Sequence, residues 1–347
     1  MKISTPLIPL FKQFIKDTEK GKRLKKNGEK ISLSTVDNYY YVLNNLELFA
    51  ATGFELRICN AQKLSTRERK TEKNYWKKFY KKFTDFLYKK GCYDNYVGAN
   101  IKHIRTFFNY LEYEKDFPTG GFHKMFYVRK EEVDILVLSI NQLKFLIHDE
   151  IFNLKLSPAE KRIKDAFVFG CTTGLRFSDL FQLTLKNFEQ QNSDYYLKIK
   201  SQKTKTYSFI KLPEYAIEIF KAYCSNSVHK RIFNPVSLYI FNKTLKNIGR
   251  KAGYLQPIHK TRERLGRPIR TGADELRFCD KMSSHMMRRT AITTMLILGM
   301  PEHLVRKISG HGADSKSFNR YVHYAQAYLD REIDKVHEKL NHYEPQT

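Results

Sequence analysis

SSHMMRRTAITTMLILGMPEHLVRKISGHGADSKSFNRYVHY, residues 283–324, decides how this chain is read. Ala291, Met295, Leu296 and Leu298 recur at roughly helical spacing, and Gly299 followed by Pro301 is a stop and restart signal. The pattern predicts two short helices joined by a turn. Packing of that kind has no need of His285 and Arg288 one helical turn apart, His311 behind a glycine, and Tyr321 ten residues beyond it. A chemical reading starts from those four side chains.

The whole chain is as basic as this stretch. Its 347 residues carry 62 Lys+Arg against 36 Asp+Glu, a formal +26, with 41% hydrophobic and 14% aromatic residues. Such a length and composition suit two globular domains, each with an ordinary core. A positive excess this large repels itself unless a polyanion neutralises it; nucleic acid, which releases condensed counterions on binding, is the first candidate. A membrane partner is not expected, because no apolar run approaches the roughly 18 residues of a spanning helix and no basic amphipathic anchor stands apart from the fold. Cys59, Cys92, Cys171, Cys224 and Cys279 are odd in number, scattered and never in a CxxC pair, which points to a reducing compartment and away from disulfides or a zinc ribbon. The N-terminus, MKISTPLIPLFKQF, lacks the long apolar region and small-residue cleavage site of a secretory signal. The expectation is a cytoplasmic protein.

Upstream, residues from about 134 onward read as a mixed, mainly helical domain. Ser139 with Gln142 is a capping box opening a helix through Ile151. Ser157, Pro158 and Glu160 repeat the signal for a helix through Phe167 and Phe169 to Gly174, and Arg176 follows at once. The period then changes to alternation: YYLKIK from Tyr195 and TYSFIKL from Thr206 flank SQKTK, a β-hairpin with Lys203 near its tip and Lys205 as its rival there. Helices at Pro213–Cys224 and Val236–Arg250 come next. IHKTRERLGRPIR reads as a loop whose Lys260, Arg262, Arg264, Arg267 and Arg270, with almost no acid among them, would touch a polyanion.

Residues 1–116 read as all-helical. Lys16–Lys30 is basic around Gly21 and Gly28 and reads as a solvated loop, after which Ser34 caps a helix burying Val36, Tyr40, Leu43 and Leu46. From Asn74 to Lys90, Trp76, Phe79, Phe83, Phe86 and Leu87 share one helix face, while Lys77, Lys78, Lys81 and Lys82 lie mostly on the other, placed to follow a phosphate backbone. In a fourth helix Val97, Ile101, Ile104, Phe108 and Leu111 turn inward and Lys102, His103 and Arg105 outward. Pro118, Gly120 and Gly121 mark residues 117–133 as a linker.

Taken in order, GLRFSDL at 174–180, the hairpin Lys203, HMMR at 285–288, Gly310–His311 and Tyr321 form the series found in tyrosine recombinases. The chain resembles the phage and conjugative-transposon integrases of that family, by motif over about 134–325 and in its N-terminal half as a helical core-binding domain. The resemblance implies a mainly α fold with a small β-sheet: a SAM-like core-binding domain at 1–116, a linker at 117–133, and a DNA breaking-rejoining catalytic domain at 134–347 with a C-terminal helix, the two domains gripping opposite faces of duplex DNA. It implies that Arg176 and Arg288 clamp the scissile phosphate, that His285 and His311 assist them, that Lys203 acts on the leaving oxygen, and that Tyr321 is the nucleophile, with Tyr324 as its rival. Two departures are visible: Ser309 stands where Leu or Met often precedes the Gly–His pair, and Arg289 where His often stands.

Physical chemistry fits that division of labour. Phosphodiester cleavage passes through five-coordinate phosphorus with added negative charge on its equatorial oxygens, which guanidinium forks meet in fixed geometry. The sequence has no HxE with PCxxC and no carboxylate cluster for a divalent ion, so neither metal nor cofactor is expected. A tyrosine ordinarily ionises near pH ~10 and needs a cationic setting or a base to attack. The 3′-phosphotyrosyl link stores the bond energy, so strands can be exchanged without ATP; the resemblance implies that this runs through a Holliday junction, integrating, excising or inverting a mobile element. The implied partners are duplex DNA at a specific site, a homo-tetramer joined by exchange of the C-terminal helix, where Leu329, Ile333, Val336 and Leu340 recur at helical spacing, and accessory DNA-bending proteins. Two other readings are a type IB topoisomerase and a non-catalytic DNA-binding relative.

Overall fold

The computed structural model describes residues 4–25, 27–201, 206–224, 231–258, 261–270, 276–312 and 315–341. They divide into two units, 1–133 with 260–271, and 134–259 with 272–347. In the first unit a short strand β1 (Ser4–Pro6) leads into α1 (Leu7–Glu19) and α2 (Leu33–Ala50); β2 (Arg57–Cys59) pairs antiparallel with β1, and α3 (Thr66–Lys89) and α4 (Asp94–Glu114) follow. α3 begins earlier than its aromatic pattern, because Ser65 and Glu68 close a capping box ahead of it. Its apolar stripe, Trp76, Phe79, Phe83 and Leu87, is fully buried.

Three expectations change here. Lys16–Glu19 is helix rather than loop: Asp17 is buried, accepts from Tyr110 Oη at 2.6 Å and pairs with Lys115 at 2.9 Å, which hold its carboxyl down to about 2. On α2 it is Tyr39 that enters the core, whereas Tyr40 is exposed and donates to Glu19 at 2.8 Å. Residues 117–133, expected as a linker, lie on α3 and α4: Phe126 is fully buried, Phe122, Met125 and Val128 pack beside it, and the Arg129 carbonyl lies so close to Gly98 that a Cβ there would come within 1.9 Å.

The second unit opens with α5 (Ile140–His148), whose Ser139–Gln142 capping box is formed; the chain breaks at Asp149, which caps α6 (Glu150–Leu154) through Phe152 N–H at 2.7 Å. α7 (Pro158–Thr173) and α8 (Phe177–Leu180) lead to an antiparallel sheet of order β3 (Phe188–Gln191), β4 (Asp194–Lys200), β5 (Tyr207–Lys211). β4 and β5 are the expected hairpin strands, with Leu197, Ile199 and Ile210 inward and Lys198, Lys200, Tyr207 and Phe209 outward. β3, FEQQ, is too polar to announce itself. α9 (Glu214–Cys224) and α10 (Leu238–Lys251) complete this part.

IHKTRERLGRPIR was expected to be a loop; it contains a β-hairpin, β6 (Thr261–Arg264) and β7 (Arg267–Arg270), that belongs to the first unit. The Asp94 carboxylate accepts both tip amides, Leu265 N–H at 2.9 Å and Gly266 N–H at 2.7 Å. The chain then returns to the second unit as α11 (Ser284–Ile297), α12 (Glu302–Ser309) and α13 (Lys316–Asn341), with α11 packed between α7 and α13. The two short helices and turn of residues 283–324 are present, and the tyrosine begins a third, longer helix. Among the described residues no helix is long and apolar enough to cross a membrane.

Candidate active site

Gly174 ends α7 with φ 67°, a left-handed turn that favours glycine and directs Arg176 off the helix axis. Arg176 Nη1 donates to Ser201 Oγ at 2.9 Å, and Ser201 Oγ donates to Asp179 Oδ2 at 3.1 Å. Asp179 and Ser201 are both buried, so the charge of Arg176 is balanced by a carboxylate 4.0 Å away through a serine at the end of β4. That ties the phosphate-clamp candidate to the strand leading to Lys203. Lys203 and Lys205 themselves lie outside the described residues.

α11 is fixed at both ends of its active face. Asn242 of α10 accepts the Ser284 N–H at 2.8 Å, and Thr290 accepts the Leu138 N–H at 3.1 Å. Between them His285 is exposed on the first turn, and Arg288, one turn later, is half-buried. Arg288 donates to the Gly174 carbonyl at 2.9 Å and to the Ser309 carbonyl, joining the ends of α7 and α12, and Nη2 lies 3.3 Å from His311 Nδ1. Burial and the neighbouring Arg176 push its guanidinium down to about 10, so it stays cationic at neutral pH.

His311 follows Gly310, which caps α12 with φ 62°. Its Nδ1 is 2.8 Å from Ser309 Oγ, whose own hydrogen is given to Val305 O at 2.7 Å, and Arg288 Nη2 lies 3.3 Å from the same Nδ1 and 3.5 Å from Nε2. Burial first, then Arg288, Arg176 and Arg306, hold the ring down to about 4, so it is neutral at pH 7. The Tyr321 ring, on the second turn of α13, is 6.1 Å from His311 and packs with Phe318, Ile292 and Val305. Ser208 of β5 donates to the Ile308 carbonyl at 2.9 Å, linking the sheet to α12. Arg176, Arg288, His311 and Tyr321 are thus gathered where α7, α11, α12 and α13 meet.

The sequence reading left Ser201 and Ser309 without roles. Ser309 was visible only as a polar residue in an apolar place, and Ser201 only as the residue two before Lys203. Among candidate DNA contacts, Lys77, Lys78, Lys81 and Lys82 on α3 and Lys102 on α4 are exposed, while Arg105 is half-buried and reaches the Phe126 carbonyl at 3.5 Å. Two of the hairpin arginines have partners within the protein. Arg262 pairs with buried Glu131 and lies 4.3 Å from the Tyr93 ring centre, and Arg264 donates to the Gly91 carbonyl at 3.0 Å. Arg267 is exposed, Arg270 closes β7 opposite Thr261, and Lys260 lies outside the described residues.

A helical first unit and a second unit that gathers two arginines, a histidine and a tyrosine define the class of the tyrosine recombinases. Residues 138–327, more than half of the chain, match the phage integrase family, and the chain belongs to it. It is similar to the tyrosine recombinase XerC of Natranaerobius thermophilus, 26% identical over 320 residues that cover 89% of this chain and 95% of the relative. Among solved structures its fold is similar to the XerH site-specific recombinase in a post-cleavage complex with palindromic difH substrate (TM-score 0.61, 14% identity, 94% of this chain and 95% of that one). It is also similar to the Tn1549 transposon integrase with transposon right end DNA (0.57, 15%, 94% and 99%) and to a lambda integrase dimer bound to a COC′ core site (0.59, 12%, 90% and 94%). The chain is a tyrosine-type site-specific DNA recombinase.

Proposed function

We propose that the gathered side chains cleave and rejoin duplex DNA at a specific site, with Tyr321 as nucleophile. The convergence of Arg176, Arg288 and neutral His311 around the Tyr321 end of α13 is the observation that carries this reading. Arg176 and Arg288 place guanidinium forks on the non-bridging oxygens, where charge grows as phosphorus becomes five-coordinate. Tyr321 Oη forms a bond to phosphorus, the bond from phosphorus to O5′ breaks, and the phenolic proton leaves. Neutral His311 has one ring nitrogen with a lone pair to accept a hydrogen bond or proton, and His285 assists from the exposed first turn of α11. The departing O5′ takes a proton from the Lys203 ammonium, leaving a 3′-phosphotyrosyl link and a 5′-hydroxyl. A 5′-hydroxyl from another duplex then attacks that phosphorus and displaces the tyrosine, so bonds are exchanged one for one.

The first unit, with its exposed lysines on α3 and α4, serves as the core-binding domain on the duplex. Assembly as a tetramer on two duplexes, with α13 exchanged between protomers and DNA-bending proteins assisting, completes the proposal. Exposed Leu329 and Ile333 on α13 support that exchange. Removing residues 327–347 should leave site binding intact and impair recombination; undiminished recombination by the truncated chain would exclude a role for helix exchange. The function itself is tested with two duplexes carrying the footprinted recombination site and no ATP. Joint molecules and Holliday junctions are expected; relaxation of supercoiled plasmid without strand exchange would favour a type IB topoisomerase, and binding without either would favour a non-catalytic relative.

A further inference from the structure

We propose that Arg306 is a positioning residue of this site, a guanidinium brace that holds the turn carrying His311 and the opening of the helix carrying Tyr321 in one fixed relation. The inference rests on the assignment of Tyr321 made above. Arg306 stands on the last turns of α12, and its carbonyl accepts the His311 N–H at 3.0 Å. Its side chain turns to three further acceptors: Nη1 donates to the Gly312 carbonyl at 3.0 Å, Nη2 to Asn319 Oδ1 at 2.8 Å, and Nε to Glu302 Oε1 at 2.8 Å. The guanidinium carbon also lies 4.1 Å from the centre of the Phe318 ring, itself fully buried and 5.3 Å from the His311 ring.

One planar group therefore grips the residue after His311 and the residues two and three before Tyr321. Only 15% of the side chain is exposed, which sets it apart from the solvated arginines of the surface. Nε, Nη1 and Nη2 each donate to a protein oxygen, so it acts through His311 and Tyr321. Lysine would keep the charge as a point and lose the fork that spans three acceptors. A misplacement of about 1 Å between reacting groups can cost about 100-fold in rate, which is the scale on which such a brace matters. The charged and titratable groups facing His311 are Arg288 from α11, Arg176 from the start of α8, Arg306 from α12 and Tyr321 from α13, with Asp179 the carboxylate beside the arginine pair.

The test uses the full-length protein on a nicked duplex carrying its site, with covalent adduct rate, DNA affinity and the acid limb of the rate measured for each variant. Arg306→Lys should bind DNA as wild type and keep its acid limb, yet form adduct about tenfold or more slowly. Arg306→Gln should be slowed as much and have its acid limb moved to higher pH, because a cation facing His311 is gone. Asn319→Ala, which removes one acceptor only, should slow adduct formation a few-fold. Wild-type rates in Arg306→Lys would overturn the inference, as would slowing that only parallels lost DNA affinity with an unmoved acid limb in Arg306→Gln. Persistence of the adduct in Tyr321→Phe would instead overturn the nucleophile assignment on which the inference rests.

Discussion

At the scale of single residues, His311 shows what a motif can and cannot tell. A Gly–His pair after a helix was legible as chemistry, but its protonation state depends on burial and on arginines that include Arg176, 135 positions earlier in the chain. Since burial and three arginines lower this histidine from 6.5 to about 4, its neutral form contributes stability that is full above pH 6.5 and is lost as pH falls through 4. Nitrogen-15 NMR of the DNA-free protein should accordingly show His311 neutral at pH 6; a midpoint near 6.5 would contradict the account. Ser201 was equally unreadable, because its partners Arg176 and Asp179 lie over twenty positions away. Ser201→Ala leaves buried Asp179 short of a donor at a cost of about 1–3 kcal/mol. The expected result is a lower melting temperature and slower cleavage than in Ser201→Thr, whose hydroxyl can restore the bridge.

Elements with local signals were readable and elements defined by distant partners were not. The capping boxes at Ser139 and Ser157, the glycine stop at Gly174 and the alternating strands β4 and β5 each announce themselves within a few residues. The β6–β7 hairpin does not: TRER and RPIR have no two-faced apolar pattern and include a proline. What fixes the hairpin is the Asp94 carboxylate at its tip and Glu131 beside Arg262, more than a hundred residues away in sequence. Residues 117–133 misled for the same reason, since the glycines and proline that suggest a linker say nothing of Phe126 filling a gap between α3 and α4. That docking makes a specific prediction for Gly98. A methyl there meets the Arg129 carbonyl, so Gly98→Ala should destabilise the first unit by about 1–3 kcal/mol, seen in urea denaturation. An unchanged midpoint would mean that the 117–133 segment yields without cost.

For the whole molecule, charge and the division into two units were the strongest early guides. The formal +26 predicted a polyanionic partner, and family membership now gives that prediction its context. If several exposed lysines of α3 and α4 neutralise phosphates, the logarithm of the DNA association constant should fall linearly with the logarithm of salt concentration. Each contacting lysine changed to alanine should lower that slope by about 1. A slope unaltered by removing Lys77, Lys78, Lys81 and Lys82 together would move the contact surface elsewhere. The central claim is that Tyr321 forms the covalent bond to DNA, and a suicide duplex nicked next to the cleavage site measures it most directly. The wild-type chain and Tyr324→Phe should each trap a protein–DNA adduct and Tyr321→Phe should trap none; an adduct that survives Tyr321→Phe and vanishes in Tyr324→Phe would contradict the account.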